Sequence, residues 1–189
     1  MTRLAIILLV LVGAGGAAVV ASEPDWYLRA RYPLRYEHIV RGHAENYRLD
    51  PALVAAVIYQ ESKFKADARS SSGAIGLMQL LPDTARGIAL HTGGGNFHPA
   101  TDLLNPDLNV RYGCWYLRHL RQKYSVYQNG DELALAAYNA GQANVDRWIA
   151  DTPAGGSVKI PFPETRDYVA DVERVQALYR RAYHSELYG

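Results

Sequence analysis

The chain opens on an unbroken apolar run from Leu4 to Ala21, and from about residue 35 its apolar positions recur at helical spacing. Tyr36, Ile39, Val40, His43 and Tyr47 share one face of a first helix. Asp50-Pro51 is a start signal, pairing a capping carboxylate with a proline in the first turn, where its missing N–H is no loss. The helix that follows carries Leu53, Val54, Val57 and Ile58 at core spacing. Asn105-Pro106 repeats the signal ahead of an inward stripe of Val110, Gly113, Leu117, Leu120 and Tyr124. Asp131 is placed to cap an alanine-rich helix ending near Gly141, and a further helix carries Val145, Trp148 and Ile149. The last long helix, from about Glu164, buries Tyr168, Val172, Val175 and Tyr179. Period-two alternation is scarce, with at most a short extended piece near Leu77–Leu81, and glycine-rich loops fall at 91–105 and 151–163. The pattern predicts one all-α domain over residues 35–189.

The opening run spans 18 residues after Arg3, with small residues toward its end. It reads as a signal peptide over 1–21 or as an uncleaved signal anchor, because its length serves both. No cysteine stands at its exit for lipid attachment. Either way the rest of the chain is expected outside the cytoplasm, meeting the membrane only through this segment. Residues 22–34, with Pro24 and Pro33 and little periodicity, are expected to be a linker.

Composition narrows the chemistry. With 20 basic and 19 acidic residues the net charge is +1, which gives no basic field for nucleic acid. The six histidines are scattered and neither HExxH nor CxxC spacing occurs, so no metal and no cofactor are expected. The lone Cys114 lies in an apolar helical pattern and reads as a buried, inert thiol. Oligomeric state is not legible.

One residue breaks the pattern. Leu53, Val57 and Glu61 are spaced i, i+4, i+8, so Glu61 falls on the apolar stripe of its helix. A carboxylate there either pairs with a cation, Lys63, Lys65 or Arg69 being the nearest, or takes a raised pKa. A glutamate shifted to about 6–7 is a usable general acid at neutral pH. The stretch Ser70-Ser71-Ser72-Gly73-Ala74-Ile75-Gly76-Leu77-Met78-Gln79-Leu80 follows, and Gly73 and Gly76 permit backbone to approach the helix end closely. Gln79 offers an amide suited to a sugar hydroxyl or acetamido group.

Four ordered motifs carry a resemblance. Glu61-Ser62, Gly73-Ala-x-Gly76-Leu-Met78-Gln79 with Pro82-x-Thr84-Ala85, Ala137-Tyr138-Asn139-Ala140-Gly141, and Ile160-Pro161-Phe162-Pro163-Glu164-Thr165-Arg166-x-Tyr168-Val169 resemble the soluble lytic transglycosylase (SLT) family over roughly residues 35–183. The resemblance implies a lysozyme-like helical domain related to the goose-type lysozymes. It implies cleavage of the β-1,4 bond between N-acetylmuramic acid and N-acetylglucosamine in peptidoglycan, leaving 1,6-anhydromuramic ends.

Residue by residue, the likeness makes Glu61 the single catalytic acid and later base. Ser70 and Gln79 become substrate contacts, Tyr138 the tyrosine whose hydroxyl meets the glutamate, and Asn139 part of the same wall. Ser62, Gly73, Gly76 and Met78 become supports of the site, and Glu164 the residue that pins an active-site loop. Leu81 stands where that family often has a methionine in the sugar groove, a change that keeps apolar volume. Substrate assistance by the acetamido group removes the need for a second carboxylate. Asp67 and Asp83, the nearest acids, read as turn and helix-start charges. A lysozyme-type hydrolase and a non-catalytic wall-binding scaffold are the alternatives.

Overall fold

The computed structural model describes residues 22–94 and 96–189, so the apolar run at 1–21 lies outside the described residues. Ten helices are described: α1 Asp25–Arg31, α2 Glu37–Asn46, α3 Pro51–Ser62, α4 Pro82–Thr92, α5 Pro99–Asp102, α6 Pro106–Tyr124, α7 Gly130–Ala140, α8 Gln142–Ile149, α9 Pro163–Ala182 and α10 His184–Tyr188. Among the described residues none is long and apolar enough to cross a membrane.

The start signals act as expected. Asp50 Oδ1 accepts from the Ala52 N–H at 2.9 Å, and Asn105 Oδ1 accepts from the N–H groups of Asp107 and Leu108. Asp50 also receives Gln176 Nε2 at 2.8 Å together with Arg180 and Tyr188, tying the start of α3 to the far end of α9 and to α10. Burial alone would raise its carboxyl, but these donors hold it below the usual range. Asp131 does not cap α7, which begins one residue earlier. It sits in the first turn and takes a two-pronged bond from Arg121 at 2.8 and 2.9 Å.

Helix α3 is the axis of the fold. Every residue from Ala52 to Ile58 is buried, so the helix is apolar all round and not merely striped. Helix α9 packs along it, and α6, α7 and α2 complete the main core. A smaller core of Ile75, Leu80, Ala85, Ile88, Ala89, Leu103 and Tyr112 joins α4 to α6. Tyr116 and Tyr138 lean on both cores and mark the seam between them.

Two further sequence expectations are corrected. Residues 22–34 are not a free linker: α1 packs on α9 with Leu28 fully buried, and Arg29 pairs with Glu186 at 2.5 Å. Tyr183 completes the attachment, its hydroxyl donating to Tyr32 O at 3.0 Å and accepting from Leu34 N at 3.1 Å. A seven-residue helix with one inward leucine is too short for periodicity to reveal it. The extended piece near Leu77–Leu81 is a turn. Isolated antiparallel bridges join Arg69 to Ile75 and Ile75 to Leu80, folding residues 76–79 into the bend between them.

Candidate active site

The bend at residues 76–79 is held from below by a residue that the sequence reading passed over. Asn109, on α6 and completely buried, accepts from Met78 N at 2.8 Å and donates to Ile75 O and Leu103 O, each at 2.9 Å. Its signal was present: Asn109, Gly113 and Leu117 share a stripe, so a polar group stands on an apolar face, as Glu61 does. Gly76, at φ +84°, faces this amide so closely that a Cβ would lie 2.2 Å from Asn109 Nδ2 and 2.4 Å from Leu103 O. Its close approach is thus to α6, not to the end of α3. Gly73 turns the chain in open space with nothing near its absent Cβ, so the close approach expected of it is not found. Met78 is buried in the notch left by Gly113, where a Cβ would meet its sulfur at 2.3 Å.

Three further ties bring the bend to the end of α3. Ser62 donates to Leu77 O at 2.8 Å, with Ile58 O at 3.2 Å. Tyr138 donates to Met78 O at 2.8 Å. Gln79 takes a left-handed φ of 46°, and its Nε2 donates to Ala68 O at 3.2 Å and Gly76 O at 2.9 Å. Such a backbone costs about 1–2 kcal/mol outside glycine, which these two bonds help to offset. Ser70 bonds Ser72 at 2.8 Å and accepts from Ala74 N at 3.0 Å, closing the turn before the bend.

Glu61 projects from the last turn of α3 into a cavity of about 300 Å3, whose walls include Ser70, Ser72, Gln79, Leu81, Tyr138 and Asn139. A second hollow of about 180 Å3 shares Gln79, Leu81, Tyr138 and Asn139 and adds Thr84, Tyr116 and Gly141, so the two form one groove along the seam between the cores. Two other hollows, of about 290 and 350 Å3, flank Glu173 on another side of α9. Charges around the first are largely matched, Arg121 to Asp131 and Arg180 to Asp50.

Burial pushes the Glu61 carboxyl from its ordinary value near 4.5 up to about 7, against the opposing pull of a hydrogen bond from Tyr168 and the charge of Lys63. Among the described residues no salt bridge involves Glu61. The Lys63 ammonium lies over the Tyr59 ring, 4.0 Å from its centroid, and Arg69 donates to Ala100 O. The Tyr168 hydroxyl donates to Glu61 Oε1 at 2.7 Å. This corrects the role expected of Tyr138, whose hydroxyl is committed to Met78 O. Tyr168 was assigned to the core from its spacing, but it stands on the second turn of α9, and the packing of α9 against α3 aims it at Glu61.

Glu164 is likewise not where the resemblance placed it. It is an exposed first-turn acid of α9, and the neighbouring Thr165 makes the tie, donating to Asn139 Oδ1 at 3.0 Å. Glu61 is the single carboxylate on the groove's described walls. Asp67 is exposed, and Asp83 pairs with Arg86 on the surface. Among the described residues no cluster of histidine, cysteine or acidic side chains could hold a metal. Cys114 is fully buried, and burial raises its thiol far above the ordinary value. The arrangement is thus a half-buried acid, its pKa raised by burial to about 7, beside two amides and a hydroxyl pair in an open groove.

Comparison with known proteins gives a consistent result. Residues 38–160 match the family model of the transglycosylase SLT domain. The soluble lytic murein transglycosylase of Escherichia coli is 30% identical over 168 residues, covering 86% of this chain and 26% of that protein. The membrane-bound lytic murein transglycosylase C of Actinobacillus succinogenes is 31% identical, covering 82% of this chain and 48% of its own. An inactive mutant of the lytic transglycosylase Slt from Pseudomonas aeruginosa superposes with a TM-score of 0.71 at 32% identity, over 88% of this chain and 27% of that one. The 70 kDa soluble lytic transglycosylase of Escherichia coli gives 0.72 at 29% identity, over 87% and 27%. The chain thus spans about a quarter of the length of its soluble relatives, and the all-α, lysozyme-like fold is shared with them.

Proposed function

The chain belongs to the transglycosylase SLT domain family, and from that premise we propose that it cleaves peptidoglycan glycan strands as a lytic transglycosylase, with Glu61 as the sole acid and base. The observation that carries this reading is Glu61 itself, the one carboxyl that the described residues bring to the groove, with a pKa raised to about 7. Protonated, Glu61 gives its proton to the glycosidic oxygen as the bond from that oxygen to C1 of N-acetylmuramic acid breaks. The resulting carboxylate then takes the proton of the C6 hydroxyl, whose oxygen bonds to C1 and closes the 1,6-anhydro ring. No water is consumed and the enzyme ends as it began. The substrate's acetamido group steadies C1 between the two events, a role that the single-acid groove leaves to the substrate.

Tyr168 occupies Oε1 of Glu61 and leaves Oε2 for the sugar. Because its bond favours the charged carboxylate, removing it raises the carboxyl further. Tyr168→Phe is therefore expected to move the basic limb of the kcat/KM profile upward by about one pH unit. A pH–rate series on purified sacculi checks this, and an unmoved or lowered limb contradicts the role. The wall substrate places the working domain outside the cytoplasm, joined to the membrane through residues 4–21 if that segment is retained.

Mass spectrometry of muropeptides released by the full chain tests the reaction. Anhydro ends are expected; reducing ends, each heavier by one water, would instead indicate hydrolysis.

A further inference from the structure

Gln79 and Asn139 share the cavity that contains Glu61, and the protein fixes their amides in opposite senses. Both Nε2 protons of Gln79 go to carbonyl oxygens, those of Ala68 and Gly76. Turning this amide over would set its oxygen against two acceptors, so Oε1 is the atom left for the groove. Asn139 is the reverse case. Thr165, at the first turn of α9 and only 3% exposed, has a hydroxyl that needs an acceptor, and it donates to Asn139 Oδ1 at 3.0 Å. Both Asn139 Nδ2 protons then lack an acceptor among the described residues and remain for the cavity that Asn139 lines. The groove thus presents a fixed acceptor from the bend and a fixed donor from α7.

We propose that Thr165 is a positioning residue for substrate recognition, locking Asn139 as the donor that, with the Gln79 acceptor, reads both ends of an acetamido group. A secondary amide supplies one N–H for Gln79 Oε1 and one C=O for Asn139 Nδ2. A hydroxyl in its place would have to donate and accept through one oxygen, where the amide divides the two bonds between separate atoms, so a sugar lacking the acetamido group is expected to lose at least one bond. Thr165 reaches the substrate only through Asn139, and its hydroxyl sets which atom of that amide faces the groove. This inference rests on the glycan reading of the groove and adds the atom-by-atom sense in which the groove recognises its sugar.

The test compares binding of two neutral tetramers, β-1,4-linked N-acetylglucosamine and β-1,4-linked glucose, to the full chain in mild detergent. Wild type is expected to favour the acetylated tetramer by about tenfold or more, the scale of one to two neutral hydrogen bonds. Thr165→Val keeps the side-chain shape, frees the Asn139 amide to turn over, and is expected to cut this preference at least threefold by weakening the acetylated ligand alone. Thr165→Ser restores it. Asn139→Asp keeps the acceptor for Thr165 but presents no N–H, so it loses the preference even if the valine variant folds poorly. Wild type without a preference, an unchanged ratio in Thr165→Val, or equal weakening of both ligands would overturn the proposal. The sacculus product assay is scored separately, so failure of the lytic reading and failure of acetamido recognition give different results.

Discussion

Glu61→Gln is expected to lower cleavage of sacculi by roughly 10²–10⁴-fold, the usual contribution of a general acid and base, while making the folded protein more stable above pH 7. The loss of activity follows because, among the described residues, no other carboxylate lines the groove to take over the proton. The gain in stability follows from the direction of the pKa shift. A carboxyl that ionises near 4.5 when exposed and near 7 in the fold binds its proton more tightly in the folded state. Below pH 4.5 it is protonated in both states and costs nothing. Between 4.5 and 7 only the unfolded chain ionises, so wild-type stability falls as pH rises, and above 7 the full penalty applies. That interval corresponds to on the order of 3 kcal/mol at about 1.36 kcal/mol per pH unit. Glutamine has no such titration and still offers an oxygen to Tyr168. Urea unfolding at pH 4 and pH 8 measures the difference: near zero at the first, about 2–3 kcal/mol in favour of glutamine at the second. Equal stability of the two proteins at pH 8 would show that Glu61 is not held in a desolvated state.

Asn109→Ala is the second large effect, and its cost falls on stability. The substitution leaves Met78 N–H and Leu103 C=O without a partner in a fully buried position and takes one of two donors from Ile75 C=O, which keeps the Leu80 N–H. Each unpaired buried group costs about 1–3 kcal/mol, and water entering the new space recovers part of it, so a net loss of roughly 3–5 kcal/mol is expected. That is a large share of the roughly 5–15 kcal/mol that holds a typical domain together. Because Asn109 clamps the bend carrying Gln79, activity is expected to fall at temperatures where the variant is still folded. Asn109→Asp separates lost space from lost donation. It has nearly the same shape, but its ionised form sets an oxygen against Ile75 O and Leu103 O. Its destabilisation should therefore grow as pH rises, whereas that of the alanine variant should not. Thermal melts at pH 4.5 and 7.5 make the comparison, and parallel behaviour of the two variants would contradict donation as the basis of the clamp.

Much of this protein was legible in its sequence because the relevant physics is local. Asp50-Pro51 and Asn105-Pro106 set helix starts through side chains two or three residues from the groups they cap, and they do so in the fold. The apolar run Ala52–Ile58 announced a core helix, and the position of Glu61 at its end announced a carboxyl removed from water. The motif residues Ser70, Gln79, Tyr138 and Asn139 do line one cavity with Glu61.

The tertiary structure decided which partner each polar group meets. Glu61 takes its hydrogen bond from Tyr168, 107 residues away, and not from Tyr138, because α9 lies along α3 and turns that ring toward the acid. Asn109 reaches back 31 residues to Met78, and Thr165 reaches Asn139 across the junction of α7 and α9. Residues 22–34 became part of the packed domain because α1, with Leu28 buried, packs on α9 and Arg29 pairs with Glu186 of α10, and both helices lie far along the sequence. Periodicity records which side of an element avoids water. It carries no record of which distant hydroxyl or amide will lie opposite, since that depends on how helices cross, and helix crossing is set by packing of the whole core.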